Sequence, residues 1–123
     1  IKIKGFTKRE KEIMDIFWNS DFPLNVSDIE KVNPSLSKNT IQSIVRKLNK
    51  RNIISVDKID YSGTVLARYY KPTISQEEYL ISELSNDSLS NLFATFIDKE
   101  ATQEELNELE QLIKEKKQQT KDV

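Results

Sequence analysis

Between Ser37 and Arg51 the chain reads Ser-Lys-Asn-Thr-Ile-Gln-Ser-Ile-Val-Arg-Lys-Leu-Asn-Lys-Arg, with no acid in the run. Asn, Gln, Ser and Thr can exchange hydrogen bonds with base edges, and Lys and Arg can hold phosphates. The chemistry on offer is recognition of a polyanion. Ile41, Ile44, Val45 and Leu48 recur at helical spacing and make one apolar stripe. A helix held by that stripe presents its other face to a partner. The segment therefore reads as the recognition helix of a DNA-binding domain, with Lys38, Asn39, Thr40, Gln42, Ser43, Arg46, Lys47 and Lys50 as its candidate contacts. Lys47 and Lys50 suit phosphates, and Arg46 suits either a phosphate or a base. Thr40 either faces the partner or supports the first helical turn, as Ser and Thr often do.

Such a helix needs a frame, and the flanking sequence supplies one. Thr7-Lys8-Arg9-Glu10 is a capping box that opens a first helix, with Ile13, Ile16 and Phe17 on its apolar side and Met14 and Trp18 flanking. A turn over Asn19 to Pro23 leads to a short helix from about Ser27 to Val32, which Asn33-Pro34 ends. Ser37 is a good N-cap for the third helix, and Asn52 tolerates the left-handed conformation that ends one. Ile53 to Lys58 reads as a strand, Asp60-Tyr61-Ser62-Gly63 as a turn, and Thr64 to Lys71 as a second strand closed by Pro72. The order helix, helix, helix, hairpin is that of a winged helix-turn-helix. Lys58 and Arg68 in the wing either track a DNA backbone or belong to a plain solvated hairpin.

Charge divides the chain in the same sense. Residues 1–72 hold 14 Lys+Arg against 8 Asp+Glu, a net +6, and residues 73–123 hold 5 against 12, a net −7. A basic front half fits a polyanion and an acidic back half does not. With no Cys and no His in 123 residues, disulfides, thiol catalysis and thiolate or imidazole metal sites are excluded. Gly5 and Gly63 are the only glycines, so no phosphate-cradling loop exists. The acids are scattered over helix surfaces, and neither an enzyme nor a cofactor is expected. No apolar run reaches the length of a membrane span, and a cytoplasmic location is expected.

Beyond Pro72 three amphipathic helices are expected. Ser75-Gln76-Glu77-Glu78 opens the first, and Leu89, Leu92, Phe93, Phe96 and Ile97 fall on one stripe of the second. Thr102-Gln103-Glu104-Glu105 caps the third, which carries Leu106, Leu109, Leu112 and Ile113. From Lys114 onward the chain is polar and fraying is expected. A tail of about 50 residues is too small to bury these stripes alone. A self-complementary homodimer would cover them, and the alternative is a tail folded back on its own winged helix. The expected fold is mainly α with a small β-hairpin. It comprises a winged-helix DNA-binding domain over residues 1–72 and a helical dimerisation domain over residues 73–123.

The first helix carries Glu12-Ile13-Met14-Asp15-Ile16-Phe17-Trp18, and the third carries Ser37-x-x-Thr40-Ile41-x-Ser43-Ile44-x-x-x-Leu48-x-Lys50-Arg51-x-x-Ile54. With Tyr69-Tyr70 closing the wing and Phe96-Ile97-Asp98-Lys99-Glu100 in the tail, the chain resembles the BlaI/MecI/CopY family of bacterial transcriptional repressors. The resemblance implies a homodimer that binds inverted-repeat operators in double-stranded DNA. Copper-responsive members carry paired Cys-x-Cys motifs, which this chain lacks. β-Lactam-responsive members are cut by a regulatory protease at an Asn-Phe bond, and the matching bond here is Thr95-Phe96, expected within regular, buried helix. A winged-helix protein-interaction adaptor and an activator of the same fold remain as alternatives to a repressor.

Overall fold

The computed structural model describes residues 5–121, which form two compact units, one ending at Glu83 and the next beginning at Leu84. In the first unit α1 (Lys8–Trp18), α2 (Val26–Val32) and α3 (Lys38–Lys50) precede an antiparallel hairpin of β1 (Ile54–Ser62) and β2 (Val65–Pro72), followed by α4 (Gln76–Ser82). Ile13, Met14, Phe17, Ile29, Leu36, Ile41, Ile44, Val45, Leu48, Ile53, Ile54 and Tyr70 form its buried core. The fold is therefore a winged helix-turn-helix, mainly α with one small hairpin.

Caps decide where these helices start. Thr7 accepts from the Glu10 N–H while its own N–H donates to Glu10 Oε1, so the expected box at α1 is formed. Glu10 is buried and pairs with Arg51 at 3.5 Å, which ties the end of α3 to the start of α1. The second helix begins earlier than expected. Asn25 and Asp28 form a reciprocal box, so Asn25 rather than Ser27 sets its start. Asn52 adopts φ 60°, and the Ile53 N–H reaches back to the Leu48 carbonyl at 3.0 Å. This is the six-to-one bond of a Schellman ending, with Asn where Gly is usual.

The hairpin is longer than expected. Asp60, Tyr61 and Ser62 pair with Ala67, Leu66 and Val65, so β1 runs through the segment expected to turn. The reversal falls on Gly63-Thr64, where Gly63 has φ +64° and no Cβ to oppose it. A bulge at Asp57, between Val56 and Lys58, adds local twist. Tyr70 also exchanges both backbone hydrogen bonds with Leu24, at 2.8 and 2.9 Å, which pins the base of the wing to the α1–α2 connection.

The first unit extends past the boundary expected after residue 72. Trp18 Nε1 donates to the Ile74 carbonyl at 3.0 Å, and buried Tyr79 of α4 stacks on Phe6 at 4.9 Å and lies 5.4 Å from Trp18. Aromatic surface gathered from three separate segments outweighs the proline as a boundary signal. Burial, with the carboxylate of Glu83 nearby, holds the Tyr79 phenol above its ordinary value of 10.0.

The second unit holds α5 (Asn86–Thr95), a π-helical turn over Phe96–Glu100, and α6 (Gln103–Lys121). Ser85 caps α5, and Thr102 with Glu105 forms the expected box at α6. Three expectations change here. The stripe Leu89, Leu92, Phe93, Phe96 and Ile97 does not lie on one regular helix, because the Ala101 N–H bonds the Phe96 carbonyl at 2.8 Å, five residues back. The Thr95-Phe96 bond sits where the α-helix gives way to that turn, with Thr95 exposed and Phe96 half-buried, so it is neither regular nor deeply covered in this chain. The last helix continues past Lys114 to Lys121, supported by Lys114–Glu110 at 3.3 Å and by a run of strong helix formers without Gly or Pro.

Candidate nucleic-acid interface

The third helix separates its residues cleanly. Ile41, Val45 and Leu48 are at most 1 % exposed, whereas Lys38, Asn39, Gln42, Ser43, Arg46, Lys47 and Lys50 all stand exposed. The exposed face forms a ridge between two grooves. On one side Gln42, Arg46, Asn49 and Lys50 face Arg68 of the wing and Ser27 at the start of α2. On the other side Asn39, Thr40, Ser43 and Lys47 share a groove with Thr7 and Arg9 of the α1 start. Arg9, Ser27 and Asn49 thus join residues that the sequence pointed to. Asn49 follows Gln42 and Arg46 along one face, a periodicity the sequence already contained. Arg9 and Ser27 come from other helices, and no spacing within α3 could reveal them.

Thr40 is half-buried, accepts from Ser37 Oγ at 2.9 Å, and gives its own N–H to the same oxygen at 3.1 Å. It completes the first turn of α3. Arg46, Lys47, Lys50 and Arg68 enter no ion pair among the described residues. Uncompensated cations on a rigid helix and its neighbouring wing make a surface of positive potential suited to phosphates. Lys38 lies 4.0 Å from Glu30.

The two wing cations are not equivalent. Lys58 pairs across the hairpin with Tyr69, lies 3.7 Å from Asp60 and stands 4.9 Å over the Tyr69 ring. Arg68 pairs with Ile59, and successive strand residues point to opposite faces. Arg68 therefore shares the α3 side of the wing, and Lys58 is occupied on the far side.

A family model described as penicillinase repressor matches residues 6–115, nearly the whole chain. The chain belongs to the penicillinase repressor family. Family and fold are those of DNA-binding transcriptional regulators and not of enzymes. A comparison with curated protein sequences gave no match. Similar solved structures include a MepR mutant from a multidrug-resistant S. aureus clinical isolate, at 12% identity and TM-score 0.44, covering 92% of this chain and 77% of that one. Streptococcus pneumoniae FabT in complex with DNA is similar at 15% identity and TM-score 0.45, covering 95% and 77%. Staphylococcus aureus MarR in complex with salicylate and kanamycin is similar at 13% identity and TM-score 0.43, covering 89% and 69%. Among the described residues, no helix is long and apolar enough to cross a membrane, and no group of acids could hold a metal ion.

Proposed function

We propose that this member of the penicillinase repressor family is a homodimeric repressor that reads an inverted-repeat operator with α3 in the major groove. The observation that carries the proposal is the exposed face of α3, where amides, a hydroxyl and cations stand together without an acid. Asn39, Gln42 and Ser43 read base edges, because Gln and Asn can pair both hydrogen-bonding positions of adenine. Arg46, Lys47, Lys50 and Arg68 hold phosphates on both sides of the helix. An adaptor would instead present acids or apolar side chains on this face, and α3 exposes neither.

The dimer is formed by the tail. Leu92, Phe93, Ile97, Leu112 and Ile113 are each about half exposed or more, and Leu89, Phe96, Leu106 and Leu109 are half-buried. Pairing two tails removes this surface from water and links two reading helices at fixed spacing. Weakening the seam releases the DNA, and cleavage between Thr95 and Phe96 by a regulatory protease is one route to it. Selection of bound sequences from a random duplex library tests the whole reading. Two inverted half-sites whose centres lie about one helical turn apart, or a multiple of it, are the expected result. A single unrepeated site would remove the dimeric reading, and no enrichment at all would remove the operator. Full-length chain persisting through induction would remove the proteolytic route.

A further inference from the structure

The wing carries apolar surface that the core does not use. At the base of the hairpin Ile54 and Tyr70 are buried. The bulge at Asp57 then adds one residue to β1, and one residue exchanges the two faces of a strand. Beyond it Ile59 and Tyr61, rather than Lys58 and Asp60, continue the face of Ile54 and Val56. Ile59 pairs with Arg68 and Tyr61 with Leu66, so these four share the face of Tyr70. Here the face stands clear of the core, with Ile59, Tyr61 and Leu66 at 62%, 65% and 59% exposure. Three large apolar side chains gathered on one side of a hairpin make a patch, unlike apolar residues scattered singly. Leu66 and Arg68 also border Gln42, Arg46 and Lys50, so the patch is continuous with the cationic side of α3.

We propose that Ile59, Tyr61 and Leu66 enter the DNA minor groove beside the α3 site, wedge it open and bend the duplex toward α3. This rests on the assignment of α3 to the major groove. The occupant of the patch must offer apolar surface and anions together, because Arg68 stands among these side chains and enters no ion pair among the described residues. An apolar protein face would dehydrate that cation without a partner. The minor groove meets both needs, with sugar C–H walls and base faces between two rows of phosphates. Leu66 lies four residues from buried Tyr70, about 13 Å of strand, and the groove to be entered is about 6 Å wide. Apolar wedges between base steps kink a duplex toward its major groove, which here closes the DNA on α3. The wing then selects by deformability. Sites with a flexible pyrimidine–purine step under Tyr61 bind better, although no hydrogen bond reads that step.

The test uses the full chain and the duplex recovered by selection, labelled at both ends so that energy transfer reports its bend. Ile59→Thr, Tyr61→Thr and Leu66→Thr keep strand propensity and lie at exposed positions, so the hairpin survives each change. Combined, they should lower operator affinity about 10-fold, reduce the bend and abolish the preference for a pyrimidine–purine step under the wing. The salt dependence should stay as it was, because no cation is lost. Arg68→Ala should instead reduce the salt slope by about one unit and leave the step preference in place. An unchanged affinity or bend in the triple variant would overturn the wedge, as would a salt slope that falls as it does for Arg68→Ala. A triple variant whose DNA-free chain sediments as a smaller species would assign the patch to a second copy and also overturn it. The assignment of α3 fails separately: Gln42→Ala with no effect on affinity or base preference would remove it, whatever the wing variants do to the bend.

Discussion

The two units of this chain are made from the same kind of element and treat it oppositely. In α3 the apolar stripe disappears, with Ile41 and Leu48 at 0 % exposure. In the tail the stripe stays open, with Leu92 at 55% and Leu112 at 60%. Neither difference lies in the helices themselves, since both are amphipathic at the same spacing. The first unit surrounds its stripe with two helices, a hairpin and the pinned connection at Leu24, whereas the tail of one chain has few surfaces to offer. Amphipathicity states that a face will be covered; it does not state by which chain.

The widest contrast is expected from paired truncations. Leu48→Ala should lower the stability of the first unit by about 2–5 kcal/mol, because it leaves a cavity in a filled core. Leu112→Ala should change that transition by less than about 0.5 kcal/mol. Urea unfolding followed by Trp18, the single tryptophan and a residue of the first unit, measures both. Equal losses would erase the distinction between the two regions.

Charge placed in the tail should act at a distance from the DNA. Phe93→Asp puts a carboxylate on a face that pairing would dehydrate. Sedimentation should show monomers, and operator affinity should fall by about 100-fold or more as the half-sites lose their linkage. A variant that sediments as a dimer would place the seam elsewhere.

Within the first unit smaller effects distinguish reading from holding. Gln42→Ala should cost about 1–3 kcal/mol on the cognate operator and relax its specificity. Lys50→Ala should weaken all sequences alike and reduce the salt dependence by about one unit of slope. Mobility-shift titrations at several salt concentrations separate the two patterns, and identical patterns would deny α3 its division of labour.

The smallest effect concerns the joint that binds α4 to the first unit. The Tyr79 phenol is held above its ordinary value by burial and then by Glu83, so the native state keeps that proton more tightly than the unfolded chain. The contribution is fully present below about pH 10, where the unfolded phenol titrates, and is lost as pH rises through the higher native value. Urea midpoints between pH 9 and pH 11 should therefore fall further for the native sequence than for Tyr79→Phe. Parallel falls would mean that the phenol is not sequestered.

Much of this was legible because it is local. Ser37, Thr7, Ser75 and Thr102 announce helix starts through bonds that span three residues. Asn52 marks the end of α3 because few side chains tolerate a positive φ. What failed was also informative. The pairing of Asp60 with Ala67 overrode turn-like composition, and cross-strand partners cannot be read from one strand. The π-helical turn at Phe96 leaves a stripe that looks regular by spacing alone.

The amino-acid order by itself determined which segments are helices, which face of each is apolar, and that α3 carries cations and amides without acids. Periodicity and capping act over a few residues, so they survive without knowledge of the fold. Only the tertiary structure decided that Arg68 and not Lys58 joins the α3 side of the wing, that Arg9 and Ser27 flank α3, and that α4 belongs with the first unit. Those outcomes depend on strand register and on packing between residues far apart in the chain, where a shift of one position turns a side chain to the opposite face.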